Sequence, residues 1–278
     1  MQQDIEKLID KSHWLRNALY DMVMTKRLGH VPSCFSMVES IVALFYRGYL
    51  KHDPKNPKWE GRDRLFISKG HAAISIYPIL VDLGIVAAEE LDRYTKPDGL
   101  LRMYADPSIP TVEAICGSLG HGFSIACGHA LSAKKDNKKN RSFVILGDGE
   151  CYEGSVWETA MFAAHHKLDN LITIVDKNKL CIMGETEELM ALDPLEEKWR
   201  AFGWNAISID GHKYSELLPT LDTAVYAANG KPTAIIAHTT KGKGISFMEN
   251  QPLWHNKMPT PEQDKQAREE LCTNPITC

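Results

Sequence analysis

Two hydrophobic periods alternate along the chain and predict its elements. Between residues 3 and 28 the apolar side chains recur at helical spacing, which indicates an amphipathic helix that ends at Gly29. Short apolar runs rich in β-branched residues predict strands further along the chain. These runs lie at 65–67, 143–146, 171–175, 206–209 and 232–237. Because helical patterns separate the strands, we expect an α/β fold, a parallel sheet with helices on both faces.

Cap and turn residues predict where several helices begin. Ser36 and Glu39 have the spacing of a capping box and indicate a second helix that starts beside His30. After the strand at 65–67, the chain is expected to turn into a helix over 68–84.

Proline, aspartate and glycine mark the later boundaries. Asp193-Pro194 is typical of the cap and first turn of a helix, which we expect to end near Gly203. A further helix is predicted over 214–228. The segment 95–112 is rich in Pro, Asp and Gly and is interpreted as a loop over the site.

The composition favours one large domain. A chain of 278 residues can bury a sizeable core, and its hydrophobic content of 44% and charged content of 24% are ordinary for a soluble globular protein. We predict a domain over 1–258 and a tail over 259–278. The tail is polar beyond Pro259 and is expected to be poorly ordered.

Charge and cysteine usage exclude several classes of protein. The net charge of −4 argues against binding to nucleic acid, and the basic run at 134–141 is interpreted as a solvated helix end. The seven cysteines are widely spaced without a Cys-x-x-Cys pair, which indicates neither a zinc site nor a disulfide framework. The N-terminus lacks an apolar signal region and no run of about 18 apolar residues occurs, so a cytoplasmic protein that does not enter a membrane is expected.

Polar residues follow two of the predicted strands directly. Gly147-Asp148-Gly149 comes after the run at 143–146, and Asn178 follows the run at 171–175. Because the carboxyl ends of parallel strands meet at one edge of the sheet, we expect Asp148 and Asn178 to lie together. Their side-chain oxygens and the main-chain carbonyl of Leu180 are half of an octahedral shell for Mg²⁺, which phosphate oxygens and water complete. Gly149 lets backbone N–H groups approach an anion closely.

This segment resembles a known family. Gly147-Asp148-Gly149, followed after 28 residues by Asn178, is similar to the thiamine diphosphate fingerprint. The adjoining Glu153-Gly154 pair resembles the transketolase branch of that superfamily. The resemblance implies the thiamine diphosphate-binding fold of the diphosphate-binding (PP) type over 1–258, with thiamine diphosphate and Mg²⁺ as cofactors. The alternative is a βαβ unit whose polar turn has no function.

The resemblance also implies roles for residues in the neighbouring loops. His71, in Ser68-Lys69-Gly70-His71, corresponds to a His that contacts the cofactor's diphosphate, and a helix N-terminus favours an anion there. Gly117-Ser118-Leu119 corresponds to a segment that lies against the aminopyrimidine ring, and Ile182 to a residue against the thiazolium. Considered without the resemblance, His71 is a capping or packing residue and the glycine turn a tight helix entry.

Three residues are candidates for catalysis. His30 follows Gly29, and His255 follows Trp254 in a segment similar to the one that carries a third active-site His in transketolases. Orienting a substrate and exchanging protons suits imidazole near neutral pH. Glu153 corresponds to a Glu that reaches across a subunit boundary to the catalytic Glu of a pyrimidine-binding domain. At the start of a helix it also interacts favourably with the helix dipole.

The resemblance spans nearly the whole chain but only the first half of a full-length transketolase. Nothing in the sequence matches a pyrimidine-binding domain or its catalytic Glu. We therefore predict a split transferase that moves a two-carbon ketol unit between sugars. This chain binds the diphosphate, and a second subunit completes the site in an α₂β₂ assembly.

Two positions depart from the family pattern. Tyr104 stands where transketolases carry a His that contacts the donor sugar, and His121 stands where Gln is usual. Tyr is bulkier than His, so a remodelled pocket and a non-standard sugar are expected. The alternatives are the α-subunit of a 2-oxoacid dehydrogenase or of an acyloin- or 1-deoxyketose-forming synthase, and a cofactor-binding scaffold without activity.

Overall fold

The sheet agrees with the hydrophobic pattern. A computed structural model of the chain describes residues 2–226 and 229–273. In these ranges five strands pair in the order β1-β2-β3-β5-β4, and every neighbouring pair is parallel. The strands are β1 (Arg64–Ile67), β2 (Ser142–Gly147), β3 (Leu171–Lys177), β4 (Asn205–Asp210) and β5 (Thr233–His238). The predicted α/β class and parallel sheet are confirmed.

Helices connect the strands and flank the sheet. In the described part of the chain they are α1 (Gln2–Lys26), α2 (Val31–Phe35), α3 (Val38–Tyr46), α4 (Tyr77–Asp82), α5 (Glu89–Asp92), α6 (His121–Lys135), α7 (Gly154–His165), α8 (Thr186–Leu189), α9 (Leu195–Ala201), α10 (Tyr214–Tyr226) and α11 (Pro261–Thr273). Short 3₁₀ helices span Gly70–Ile76, Gly149–Tyr152 and Pro252–Trp254. Residues 227 and 228, where we predicted the end of α10, lie outside the described ranges. No helix within those ranges combines the length and apolarity needed to cross a bilayer.

Alternate strand residues enter two different cores, which explains why the strands read as continuous apolar runs. In β2, Phe143 and Ile145 face one core, which is completed by α1, α3, α4 and α10. Val144 and Leu146 face the other, which is completed by α6, α7 and α9. Burying each such side chain contributes about 1.5–3 kcal/mol. Both faces of the sheet are therefore covered, and ligands can reach it only at its ends.

The predicted capping box does not form. Helix α3 begins at Val38 with Met37 at its cap, and no side chain caps it. The Ser36 hydroxyl instead donates to Asp176 Oδ2 at 2.6 Å, and Glu39 pairs with Arg16. Neither side chain caps the helix, because each forms a hydrogen bond or ion pair with a residue of another element inside the core.

The predicted helix after β1 begins differently from the expectation. It starts as the 3₁₀ helix Gly70–Ile76 and becomes α-helical only over Tyr77–Asp82. The later helix α9 starts at Leu195 with Pro194 at the cap position. The helix thus begins one residue later than predicted. The Asp193 carboxylate still accepts the Leu195 N–H at 3.3 Å, from the position before the cap.

The expectation of poor order beyond Pro259 is wrong for residues 261–273. They form α11, whose Ala267 and Leu271 are buried in the larger core. Arg27 on the α1 side donates to the Pro259 carbonyl at 2.9 Å, which ties the start of this segment to α1. Two apolar residues one turn apart, Ala267 and Leu271, are therefore enough to hold the otherwise polar helix α11 against the larger core. Residues 274–278 lie outside the described ranges, and the division of the chain at residue 258 stays a prediction.

Candidate active site

A cavity of about 250 Å³ lies at the carboxyl edge of the sheet. Loops that follow β1, β2, β3 and β5 meet there, as expected for a parallel sheet, in which all strands end at the same edge. The residues that line it are Ser33, Lys69, His71, Leu119, Gly147, Asp148, Gly149, Glu150, Asn178, Leu180, Cys181, Ile182, Lys241 and His255. Eight of the residues predicted from the sequence therefore share one cleft: His71, Leu119, Asp148, Gly149, Asn178, Leu180, Ile182 and His255.

Asp148, the carboxylate of the predicted cation site, is 1% exposed. Its Oδ1 accepts the Gly149 N–H at 2.8 Å and its Oδ2 accepts the Lys179 N–H at 2.5 Å. Burial and the nearby Asp176 carboxylate raise the pKa of Asp148 to about 7, despite these two hydrogen bonds. In the described residues it forms no salt bridge. A buried carboxylate without a cationic partner is costly, so this position favours binding of a cation.

Asn178 and Leu180 line the same cleft as Asp148. Asn178 Oδ1 accepts the Leu180 N–H at 3.1 Å, and its amide group donates to Asp176 Oδ2 at 3.1 Å. That bond to Asp176 orients the amide so that Oδ1, rather than the nitrogen, is available for another contact. Carboxylate, amide and carbonyl oxygens form a hard donor set, which suits Mg²⁺ better than a soft metal. The donors present therefore fit a magnesium ion that phosphate oxygens complete.

Asp176 and Lys69 form a buried ion pair that the sequence analysis missed. The Lys69 ammonium donates to Asp176 and to the Ser33 carbonyl at 2.8 Å. Burial opposes ionisation of Asp176, but Lys69 and the Ser36 and Thr239 hydroxyls outweigh it and lower the pKa of this carboxyl. The sequence contained one indication of this pair, since Asp176 is a charged residue that directly follows the apolar residues of β3. The pair holds the ends of β1 and β3 together beneath the cleft.

Lys241 is a second missed residue, 2% exposed. Its ammonium donates to the Leu180 carbonyl at 3.2 Å and lies 3.2 Å from His255 Nδ1. Burial and the Lys69 charge lower the pKa of Lys241 to about 8. Since the carbonyl oxygen has two lone pairs, it can receive Lys241 and a metal ion together. The Lys241 charge therefore lies in the cleft, beside a carbonyl that we predict to be a metal ligand.

Three histidines converge at one side of the cleft. The ring centroids of His30, His71 and His255 lie 5.0–5.2 Å apart. Burial and neighbouring lysines lower the pKa of all three, that of His255 to about 3. The rings are therefore neutral near pH 7 and can accept as well as donate hydrogen bonds. His30 Nδ1 is buried without a hydrogen-bond partner in the described residues, which leaves a polar atom available to a ligand.

Glu150 organises the turn after β2 and was not predicted. It is 2% exposed and accepts the Gly120 N–H at 2.8 Å and the Gly147 N–H at 3.1 Å. The Ser68 hydroxyl also donates to it. Burial raises the pKa of Glu150. This one side chain thus joins the ends of β1 and β2 to the glycine turn that begins α6.

The glycine turn lies close to His71 but mostly outside the cleft. Gly70 packs directly on Cys116, since an added Cβ would lie 2.0 Å from the Cys116 carbonyl oxygen. Of the predicted residues in this turn, Leu119 lines the cleft, whereas Gly117 and Ser118 are exposed beside it. The structure therefore leaves their predicted cofactor contacts as predictions.

Glu153 lies outside the cleft. It occupies the N-cap position of α7 without a side-chain cap hydrogen bond, and its exposed side chain lies next to Gly120, where an added Cβ would lie 3.1 Å from Glu153 Cβ. Gly120 has φ of +82°, so a side chain there would also be strained. An exposed Glu beside the glycine turn is compatible with the predicted contact across a subunit boundary, and that contact stays a prediction.

Two departures from the family pattern lie at the surface near this turn. Tyr104 is 40% exposed, and an added Cβ on Gly117 would lie 3.7 Å from its ring. His121 is exposed at the start of α6. Both side chains are thus accessible to a substrate that approaches from the side of the glycine turn.

The chain matches one protein family over almost its whole length. Residues 9–277 match the family described as "Transketolase, thiamine diphosphate binding domain". Transketolases use thiamine diphosphate with a divalent metal such as Mg²⁺. The match includes residues 261–273, in agreement with the packing of α11.

The curated relatives include subunits of nearly the same length. A 6-deoxy-6-sulfo-D-fructose transketolase subunit from Clostridium sp. (strain MSTE9) is 42% identical over 96% of this chain and 98% of its own. An apulose-4-phosphate transketolase subunit from Phocaeicola vulgatus is 36% identical over 96% of this chain and 94% of its own. Human transketolase is 38% identical over 92% of this chain but only 40% of its own length.

A solved structure shares the fold. The crystal structure of transketolase from Campylobacter jejuni aligns with a TM-score of 0.88 and 32% identity, covering 96% of this chain and 43% of the other. The chain therefore spans less than half of the length of these two transketolases, whereas it spans nearly the whole length of the two subunits.

Proposed function

The chain belongs to the transketolase family, and from this premise we propose that it is the diphosphate-binding subunit of a two-component transketolase. The complex transfers a two-carbon ketol unit between sugar phosphates or related anionic sugars in the cytoplasm. The observation that carries this proposal is the cleft in which Asp148, Asn178 and Leu180 offer an oxygen-only donor set beside Lys241 and three neutral histidines.

The residues of the cleft fit the cofactor pair. Asp148, Asn178 and the Leu180 carbonyl would hold Mg²⁺, and Lys241 and His71, which line the same cleft, would bind the diphosphate. Gly149, whose added Cβ would lie 3.2 Å from Cys181 Cβ, lets the turn after β2 pack closely against the loop that carries Cys181. Ile182 is 61% exposed at the mouth of the cleft, where it offers an apolar surface to a ring.

The three histidines are placed to exchange protons and hydrogen bonds with a substrate. Bound thiamine diphosphate supplies a nucleophilic thiazolium carbon that takes up and releases the two-carbon unit. His30 and His71 are neutral at pH 7, so each can accept a proton from a substrate hydroxyl or donate a hydrogen bond to it. The Lys241 ammonium donates to His255 Nδ1, so His255 Nε2 carries the proton and this ring offers a hydrogen-bond donor to a substrate oxygen.

The partner covers an exposed apolar face on α6 and α7. Ile125, Met161 and Phe162 expose 39%, 52% and 44% of their surfaces on these adjacent helices. Gly128 lies on the same exposed side of α6, where nothing lies within 4 Å of an added Cβ, so a second chain can approach closely. Glu153 begins α7 at one end of this face. We infer that the partner carries the pyrimidine-binding domain and that the assembly is α₂β₂, with the site completed between subunits.

Product analysis tests the reaction class. The chain is combined with its partner subunit, thiamine diphosphate and Mg²⁺, and supplied with a ketose phosphate labelled at C1 and C2 and an unlabelled aldose phosphate. We expect both labelled carbons to appear in a longer ketose, with an aldose two carbons shorter as the second product. Pyruvate in place of the ketose should give no product. Pyruvate consumption without ketol transfer would instead support one of the other thiamine enzymes.

Tyr104 is expected to set sugar preference. Its exposed ring lies beside Gly117, on the side from which we expect the sugar to enter. It offers a hydroxyl at the position where transketolases usually carry a His. For Tyr104→His we expect the ratio of kcat/KM between two ketose donors to change by about tenfold, the usual scale for an altered hydrogen bond in a specificity pocket. Steady-state kinetics with each donor measure this ratio. Tyr226→His, at an exposed position on α10 outside the cleft, is the control, and an unchanged ratio in both variants contradicts the assignment.

A further inference from the structure

Three charged or polar side chains form a buried chain of contacts away from the cleft. Arg16 of α1 and Glu39 of α3 are both 0% exposed, and His212 in the turn after β4 is 7% exposed. Arg16 Nη2 lies 2.7 Å from Glu39 Oε1, and His212 Nδ1 lies 2.9 Å from Glu39 Oε2. Burying such groups costs free energy unless each is paired, so the contacts must be maintained together.

The far end of this chain of contacts is a backbone amide next to the cleft. The Thr240 N–H donates to His212 Nε2 at 2.8 Å. An amide nitrogen can only donate, so Nε2 must carry the lone pair and Nδ1 must carry the proton that is given to Glu39. Burial opposes ionisation of Glu39, but Arg16 and His212 outweigh it and hold its pKa at about 2. An ionised Glu39 accepts from both neighbours, which fixes the tautomer of His212.

The anchored amide lies between two residues that enter the cleft region. On one side, the Thr239 hydroxyl donates to Asp176. On the other, Lys241 donates to the Leu180 carbonyl and contacts His255. The next residue is also held, since the Gly242 N–H donates to the Pro32 carbonyl at 3.0 Å. The segment 239–242 is thus positioned from several elements, and His212 is the side chain that holds its main chain just before Lys241.

We propose that Arg16, Glu39 and His212 form a positioning relay that fixes the Thr240 amide and so sets Lys241 against the metal-binding carbonyl of Leu180. His212 is a positioning residue, because it contacts neither the cleft nor the expected cofactor atoms. The inference rests on the proposed function, since the purpose of the relay is to prepare Lys241 for the diphosphate and its metal. Arg16 is distant in sequence from all of these residues, so only the tertiary structure reveals the connection.

Two near-isosteric variants separate positioning from stability. His212→Gln keeps an acceptor near the place of Nε2 but gives up the donor to Glu39. His212→Asn keeps a donor near the place of Nδ1 but gives up the acceptor for Thr240. We expect His212→Asn to speed hydrogen exchange of the peptide 239–244 and to weaken binding of thiamine diphosphate with Mg²⁺ by roughly tenfold, the scale of one unsatisfied buried donor. Because Glu39 no longer orients the side chain, His212→Gln should fall between wild type and His212→Asn in both measurements.

A double-mutant cycle tests whether His212 acts through Lys241. Lys241→Met should weaken cofactor binding without changing exchange of the Thr240 amide. Adding His212→Asn to Lys241→Met should cost little further affinity if the two act as one unit. Calorimetry on the full chain, with its partner subunit present, gives the dissociation constants. Amide exchange on the cofactor-free chain gives the protection.

The outcomes distinguish this inference from the proposed function. The relay is overturned if His212→Asn leaves exchange and affinity unchanged, if affinity across the variants simply follows the melting temperature, or if the two substitutions are additive. A wild-type complex that binds no thiamine diphosphate overturns the proposed function and the relay's purpose with it. Faster exchange in His212→Asn alone would then show that the Thr240 contact exists without that purpose.

Discussion

Replacing Asp148 with alanine is expected to prevent formation of the holoenzyme. The carboxylate is the only charged oxygen among the three proposed metal ligands, and its neighbours are neutral carbonyl groups. Losing a side chain behind a metal ligand already costs 10–100-fold in affinity, so the ligand itself should cost more than about 100-fold. Calorimetric titration of the complex with thiamine diphosphate, at several Mg²⁺ concentrations, measures the loss. Turnover should fall to background.

A matched variant separates ligand loss from misfolding. Alanine leaves the Gly149 and Lys179 amides without their acceptor, which can loosen the turn. Asp148→Asn keeps the size and one oxygen but removes the charge, so we expect a folded chain that has lost its Mg²⁺ dependence. Asp136→Ala, an exposed carboxylate outside the site, should bind as wild type does. Undiminished, metal-dependent cofactor binding by Asp148→Asn would contradict the assigned cation site.

A charge on the exposed face of α7 is expected to abolish assembly with the second subunit. Phe162 is 44% exposed and lies beside Met161 on the face that we assign to the partner. For Phe162→Lys, an ammonium must be desolvated at the centre of an apolar contact, a cost of several kcal/mol that disfavours the complex. Light scattering after size exclusion should show the chain eluting without its partner. Ketol transfer by the mixture should then be lost, because the site is completed only between subunits.

The control for this variant is another exposed aromatic residue on the other side of the molecule. Tyr226, at the end of α10, is 77% exposed and lies on the opposite face of the sheet from α7. Tyr226→Lys should leave assembly and turnover unchanged. If Phe162→Lys still assembles and works, the partner uses another surface. If the wild-type chain alone turns over ketose phosphate, no second subunit is needed and the split-enzyme proposal fails.

The position of the proposed cation site was predictable because it depends on topology rather than on side-chain packing. Apolar runs identified β2 and β3, and parallel pairing forced the residues after them to one edge. Asp148 and Asn178 therefore had to be neighbours in space, whatever surrounded them. The glycines of the turn and the histidines His71 and His255 were located by family resemblance, and the cleft brings both histidines together with Gly149.

The charged residues beneath the cleft were not predictable in the same way. Asp176 lies at the end of β3, whereas Lys69 and Lys241 lie in the loops after β1 and β5, and all three side chains are buried. A local pattern covers about one turn of helix or two neighbouring strand residues, so it assigns such side chains to caps or to solvent. The failed capping box at Ser36 has the same cause, since its hydroxyl found a stronger partner in Asp176.

By itself, the sequence determined the α/β class, the strands and the edge where the ligands meet, because hydrophobic periodicity and parallel connection leave few alternatives. It did not determine which buried charges pair, that α11 docks on α1, or that Arg16 connects through Glu39 and His212 to the Thr240 amide. Those contacts join residues far apart in the chain. Their stability depends on several elements excluding water at once, which only the tertiary structure decides.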